Sequence, residues 1–88
     1  MNKKLSFRDK GFDDYIYWQT QDRKTLKRIN QLIQDIDRNG HSGMGKPEAL
    51  KYNRQGWWSR RIDDEHRLVY RIEDDEILIA SCRFHYGE

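Results

Sequence analysis

The chain has 88 residues, 35% hydrophobic and 36% charged, so it has room for one small domain spanning residues 1–88, with one compact core. Three Trp, five Tyr and three Phe supply much of that core, and a formal charge of +2 allows a polyanion partner without requiring one. No apolar run approaches the ~20 residues of a membrane span, which argues against a membrane protein.

The opening, Met1-Asn2-Lys3-Lys4, lacks the apolar stretch of a signal peptide. The lone cysteine, Cys82, excludes an internal disulfide and sits within an apolar run, as a buried thiol in a reducing cytoplasm would. Residues 4–7 read as a short first strand. Residues 8–21 read as a helix, with Phe12, Tyr15, Ile16 and Gln19 at helical spacing on its inner side and Asp13, Asp14 and Tyr17 turned away. Asp22 is placed to cap a second helix whose stripe is Leu26, Ile29, Ile33 and Ile36, with Leu32 beside it. Asn39-Gly40 ends that helix.

Residues 41–47 form a loop by their Gly and Pro content, and Glu48 to Asn53 lead out of it. Three short strands follow, over residues 57–62, 66–72 and 76–86, joined at the acidic clusters Asp63-Asp64-Glu65 and Glu73-Asp74-Asp75-Glu76. Residues 1–44 carry 9 Lys and Arg against 6 Asp and Glu, and residues 45–88 carry 8 against 9. Because the turns hold most of the later acids, the strands themselves are dominated by arginine.

Side chains alternate across a sheet. One parity collects Trp58, Ile62, Leu68, Tyr70, Ile72, Leu78, Ala80, Cys82 and Phe84, an apolar set expected to pack on the helices. The opposite parity collects Ser59, Arg61, Arg67, Arg71, Ser81, Arg83 and His85, with Trp57, Val69, Ile77 and Ile79 sharing that face. A bulge between strands would scramble this sorting.

An arginine cluster on a sheet face suits phosphate, because guanidinium stays charged and donates hydrogen bonds in a fork. Arg83, His85 and Tyr86, at the exit of the last strand, are all able to contact such a group. Glu48 follows a Gly/Pro loop and lies outside the acidic turns. An ionised carboxylate there accepts a proton, and a charged His85 beside a phosphate donates one. A base, an acid and a cationic clamp of Arg and Lys suffice to cut RNA through its 2′-hydroxyl. No cluster has metal-ligand spacing, so no metal and no cofactor are expected. A plainer reading stands beside this one. Arg60, Arg61 and Arg67 would be solvated strand charges pairing with Asp63 and Glu65, His85 a surface residue, and the chain a non-enzymatic binding module for nucleic acid or a protein partner.

Four runs carry a resemblance over nearly the whole chain: Gly45-Lys46-Pro47-Glu48-Ala49-Leu50-Lys51, Trp57-Trp58-Ser59-Arg60-Arg61-Ile62, Glu65-His66-Arg67-Leu68-Val69-Tyr70 and Cys82-Arg83-Phe84-His85-Tyr86. Together with Asp13-Asp14-Tyr15-Ile16-Tyr17-Trp18, they resemble the YoeB/Txe toxins of the RelE-like superfamily of bacterial toxin–antitoxin systems. The resemblance implies an α+β fold, with two N-terminal helices packed on a twisted antiparallel sheet, similar to microbial ribonucleases. It implies an endonuclease that cuts mRNA in the A site of translating ribosomes. By the same resemblance Glu48 is the general base, His85 the general acid and Arg67 the main stabiliser of the phosphate. Arg61 and Lys51 assist, and Tyr86 stacks on a base or touches the phosphate. Implied partners are a YefM/Axe-type antitoxin whose extended C-terminal segment wraps the toxin, a second copy in a homodimer, and operator DNA through the toxin–antitoxin complex. The family usually stops at the His-Tyr pair, whereas this chain continues with Gly87-Glu88, whose extra carboxylates would sit close to Arg67 and His85 by the same resemblance.

Overall fold

The computed structural model describes residues 1–84; His85, Tyr86 and the Gly87-Glu88 extension lie outside the described residues. In chain order the elements are β1 (Lys4–Phe7), α1 (Asp9–Gln21), α2 (Arg23–Asn39), β2 (Glu48–Ala49), a 3₁₀ turn (Tyr52–Arg54), β3 (Trp58–Arg61), β4 (Arg67–Glu73) and β5 (Glu76–Ser81). The strands form one five-stranded sheet ordered β1-β5-β4-β3-β2, with both helices on one face. The pairs β2–β3, β3–β4 and β4–β5 are antiparallel, as expected. β1 instead joins β5 in parallel, which makes the sheet mixed. The cause is the connection: the chain leaves β1, crosses both helices, and re-enters the sheet at its far side before returning to β5.

Asp22 caps α2 as its position requires, accepting hydrogen bonds from the Lys24 and Thr25 N–H groups at 3.0 and 3.2 Å. Ile29, Leu32, Ile33 and Ile36 are buried on the sheet, and the Gly40 N–H closes the helix on the Ile36 carbonyl. α1 is rotated from the orientation its apolar residues predict. Its buried residues are Gly11, Asp14 and Trp18, while Phe12 and Ile16 are exposed. Gly11 explains the rotation. A Cβ there would collide with the Ile79 carbonyl oxygen, so the helix backbone rests directly on β5 at this point. That contact turns Asp14 inward, where its carboxylate accepts from the Cys82 N–H at 3.0 Å and pairs with Lys10 at 2.8 Å.

The parity of β5 also differs from expectation. Ile77 and Ile79 are fully buried in the core, and Tyr70 and Ile72 of β4 lie opposite Ile79 and Ile77. Val69, however, pairs with Ser81, so the register shifts between Val69 and Tyr70 and β5 carries one extra residue. The bulge restores the expected facing at its far end, where Cys82 is buried in the core. Burial, with the Asp14 charge adding to it, pushes the Cys82 thiol up to about 12.

The exit of β5 is tied down at successive backbone groups. The Cys82 N–H donates to Asp14, and the Cys82 carbonyl accepts from the Trp18 indole at 2.8 Å. The Phe84 N–H donates to His66 Nδ1 at 2.7 Å, and the Phe84 carbonyl accepts from the Arg67 N–H at 3.1 Å. His66 is itself buried edge-on against Trp18, ring centroids 4.8 Å apart. Phe84 sits at φ 66, a conformation a bulky residue adopts only when its surroundings impose it.

Arg60 is the main departure from a solvated-charge reading. It faces the helices, opposite Leu68, and is fully buried. Its guanidinium pairs with Asp35 of α2 and donates to the carbonyls of Gly40, Ser42 and Met44 at 2.7, 2.9 and 2.9 Å. Nε reaches the Tyr70 hydroxyl at 3.3 Å. Burial alone would raise the Asp35 pKa, but Arg60, the Met44 N–H and Asn39 together hold it below the usual carboxylate value.

Three outcomes follow from these contacts. Arg60→Ala strands Asp35 and three loop carbonyls, and should cost about 3–5 kcal/mol in urea unfolding. Because the folded pKa of Asp35 is depressed, its contribution is present in full above its unfolded value of 3.8 and is lost as pH falls below it. Asp35→Asn should therefore lower stability at neutral pH and flatten the acid limb of the stability curve. His66→Ala removes the acceptor for the Phe84 amide; that amide should exchange with solvent faster, with a loss of about 1–2 kcal/mol.

Candidate active site

Glu48, Arg61 and Arg67 meet on the face of the sheet turned away from the helices. β2 brings Glu48 opposite Ser59, which lies opposite Val69, which in turn lies opposite Ser81. One step along the ladder Arg61 lies directly opposite Arg67. The Arg67 guanidinium reaches the Glu48 carboxylate at 4.0 Å; the Arg67 side chain is 16% exposed and that of Glu48 57%. Glu48 is thus open to a ligand while Arg67 is set into the surface. The Ser59 hydroxyl, buried beside Glu48, has no hydrogen-bond partner among the described residues.

Two hollows meet at Glu48. One, of about 300 Å³, is lined by Lys46, Pro47, Glu48, Arg61 and Arg67. The other, of about 470 Å³, is lined by residues 48–54 and contains Lys51. Lys46 is a cation the sequence reading passed over. It sits at φ 51 immediately after Gly45, and its signal was its place in the Gly/Pro loop beside Glu48. Gly45 explains why the loop arrives here. Its carbonyl accepts from the Arg61 N–H at 2.6 Å, and a Cβ would fall 2.8 Å from the Leu32 side chain, at a φ of 84.

Of the predicted residues, the fold brings together Glu48, Arg61 and Arg67, with Lys51 on the adjoining hollow. Arg83 is engaged elsewhere. Its guanidinium lies 3.5 Å from the Tyr17 ring centroid and 4.4 Å from that of Phe84, on the α1 side. His85 and Tyr86 lie outside the described residues, but the backbone that leads to them is fixed at Phe84, whose carbonyl is bonded to Arg67 itself. Arg8 and Arg71 approach Trp57 at 5.3 and 5.7 Å and extend the basic character of the surface. Among the described residues no group of three or more His, Cys, Asp or Glu is placed to hold a metal ion. Chemically, the arrangement offers an exposed carboxylate facing clustered cations, a setting for an anion that carries a removable proton.

A sequence model of the YoeB-like toxins of bacterial type II toxin–antitoxin systems matches residues 7–86. The chain is 54% identical to Toxin YoeB of Escherichia coli strain K12 over 83 residues, covering 94% of this chain and 99% of that one. It is 52% identical to Toxin YoeB of Streptomyces coelicolor over 83 residues, with the same coverage. Among solved structures, a YoeB dimer from Staphylococcus aureus superposes with a TM-score of 0.92 at 50% identity, covering 98% of this chain and 100% of that one. A YoeB–YefM toxin–antitoxin heterotetramer from the same organism gives 0.90 at 50% identity, with the same coverage. YafQ from E. coli, at 11% identity and a TM-score of 0.79, shares the fold, covering 97% of this chain and 96% of that one. With the family model covering nearly the whole chain and full-length relatives at half identity, this protein belongs to the YoeB-like toxins of bacterial type II toxin–antitoxin systems.

Proposed function

We propose that this toxin is a metal-independent endoribonuclease that cuts mRNA in the ribosomal A site and so halts translation. The observation that carries the proposal is the convergence of Glu48, Arg61 and Arg67 on one hollow, with the Phe84 carbonyl at the exit of β5 bonded to the Arg67 N–H. Glu48 takes the proton from a ribose 2′-hydroxyl. The 2′-oxygen attacks its own phosphorus, and the bond to the 5′-oxygen of the next nucleotide breaks. His85 supplies the proton that oxygen needs, leaving a 2′,3′-cyclic phosphate and a 5′-hydroxyl. Arg67, with Arg61 and Lys51, stabilises the charge that builds on the phosphoryl oxygens, and Tyr86 contacts the substrate next to the cut. The requirement for a 2′-hydroxyl restricts the reaction to RNA.

The partners follow from the family. A YefM-type antitoxin neutralises the toxin, two toxin copies pair, and the complex binds its operator DNA mainly through the antitoxin. The S. aureus relatives, solved as a dimer and as a heterotetramer with YefM, support this reading. The ribosomal target places the protein in the cytoplasm, and no described helix is long and apolar enough to cross a membrane.

Added to an in vitro translation reaction, the protein should produce mRNA 5′ ends clustered at codons and bearing a 5′-hydroxyl. Glu48→Ala, Arg67→Ala and His85→Ala should each lower the cleavage rate about 10²-fold or more. If all three variants cut as fast as the parent, the mechanism is wrong. Salt-sensitive RNA binding with no cleavage in any reaction would instead establish a non-enzymatic binding module.

A further inference from the structure

The loop between β2 and β3 carries a group that the proposed chemistry leaves unused. Tyr52 is 90% exposed, more than any other large hydrophobic side chain among the described residues. Its backbone is held at φ 59, in the left-handed region that a tyrosine rarely occupies. The loop is nevertheless built. Leu50 is buried as its anchor, and the Leu50 N–H closes the loop on the Trp57 carbonyl at 2.9 Å. The Gln55 N–H donates to the carbonyl of Tyr52 itself at 3.1 Å, and the Arg54 N–H donates to that of Lys51 at 3.1 Å. A well-bonded turn therefore spends an unfavourable backbone conformation on holding an aromatic ring out in solvent. Such strain at an exposed position is a mark of a ligand contact. The ring's neighbours define the ligand: Lys51 and Arg54 flank it, and all three line the 470 Å³ hollow that begins at Glu48. Cations that track a phosphodiester backbone, with an aromatic face between them, are the recurring features of single-strand nucleic-acid binding.

We infer that Tyr52 is a stacking platform for an unpaired RNA base next to the scissile linkage, with Lys51 and Arg54 holding the phosphates on either side of that nucleotide. The inference rests on the ribonuclease reading and extends it by assigning a subsite for a flanking nucleotide. Every base has a π-face, so the platform fixes the position of the strand over Glu48 without demanding one sequence.

The test measures affinity for a short single-stranded 2′-O-methyl oligonucleotide, which cannot be cut by attack of its 2′-oxygen. Tyr52→Ala should weaken binding about five- to a hundredfold, the range for loss of one stacked base. Tyr52→Phe, which keeps the ring, should restore the parent affinity. An abasic residue at one position of the oligonucleotide should reproduce the loss in the parent and add nothing in Tyr52→Ala. Equal affinities for Tyr52→Ala and the parent overturn the inference, as does failure of the parent to bind. A loss confined to antitoxin binding also overturns it and makes Tyr52 a protein contact. Because this readout is binding to an inert strand, it is independent of whether Glu48→Ala abolishes cutting.

Discussion

The buried guanidinium of Arg60 is the contact on which the arrangement of the site depends. Residues 40–46 contain three glycines and have no regular structure to fix them. Arg60 gathers three of their carbonyls, those of Gly40, Ser42 and Met44, and ties them through Asp35 to α2 and through Tyr70 to the sheet. A buried charge persists only if it is paired and its remaining protons are used, and Arg60 meets both conditions. The loop leaves this clamp at Gly45, is bonded there to the Arg61 N–H, and reaches β2 three residues later. The place of Glu48 on the sheet is therefore set by an arginine that faces the opposite side.

A second constraint works from the other end of the chain. The bulge opposite Val69 and Tyr70 lets β5 bury Ile77 and Ile79 on the helix side and still bury Cys82 on that side. Without the extra residue, strict alternation would send Cys82 to the outer face. Asp14 and Trp18 then hold the Cys82 backbone, while His66 and Arg67 hold that of Phe84. The pKa rise at Cys82, driven first by its burial, is a by-product of this anchoring and keeps the thiol protonated and inert.

The features legible in the sequence were those set by local chemistry. Asp22 as a cap, Gly40 as a stop, the α2 stripe and the acidic turns each act within a few residues, and each stands where it was expected. The shared facing of Arg61 and Arg67 was legible because hairpin-linked strands keep their parity over short distances, whereas Glu48 was singled out by its Gly/Pro loop and joined to them by the family resemblance. Features that depend on contacts distant in sequence were hidden. The inward turn of Asp14 requires the Gly11 backbone to meet β5, some seventy residues away along the chain. The burial of Arg60 requires Asp35, and nothing in the dipeptide Arg60-Arg61 separates the two except their opposite facing. The parallel pairing of β1 and the β5 bulge follow from how the elements assemble, which no short window of sequence contains.

The contrast between those two adjacent arginines bears on why the outer face looks as it does. Arg60 has its own carboxylate and a full set of acceptors, so its charge is neutralised within the fold. Arg61 is placed directly across the ladder from Arg67, and like charges in that position repel. Glu48, largely exposed, lies 4.0 Å from Arg67 on the same face. A fold free of other demands would relieve the repulsion by a single substitution, since neither position is needed to fill the core. An anion entering the hollow lined by Lys46, Glu48, Arg61 and Arg67 would meet cations already held in place by the sheet, with no reorganisation required on its arrival.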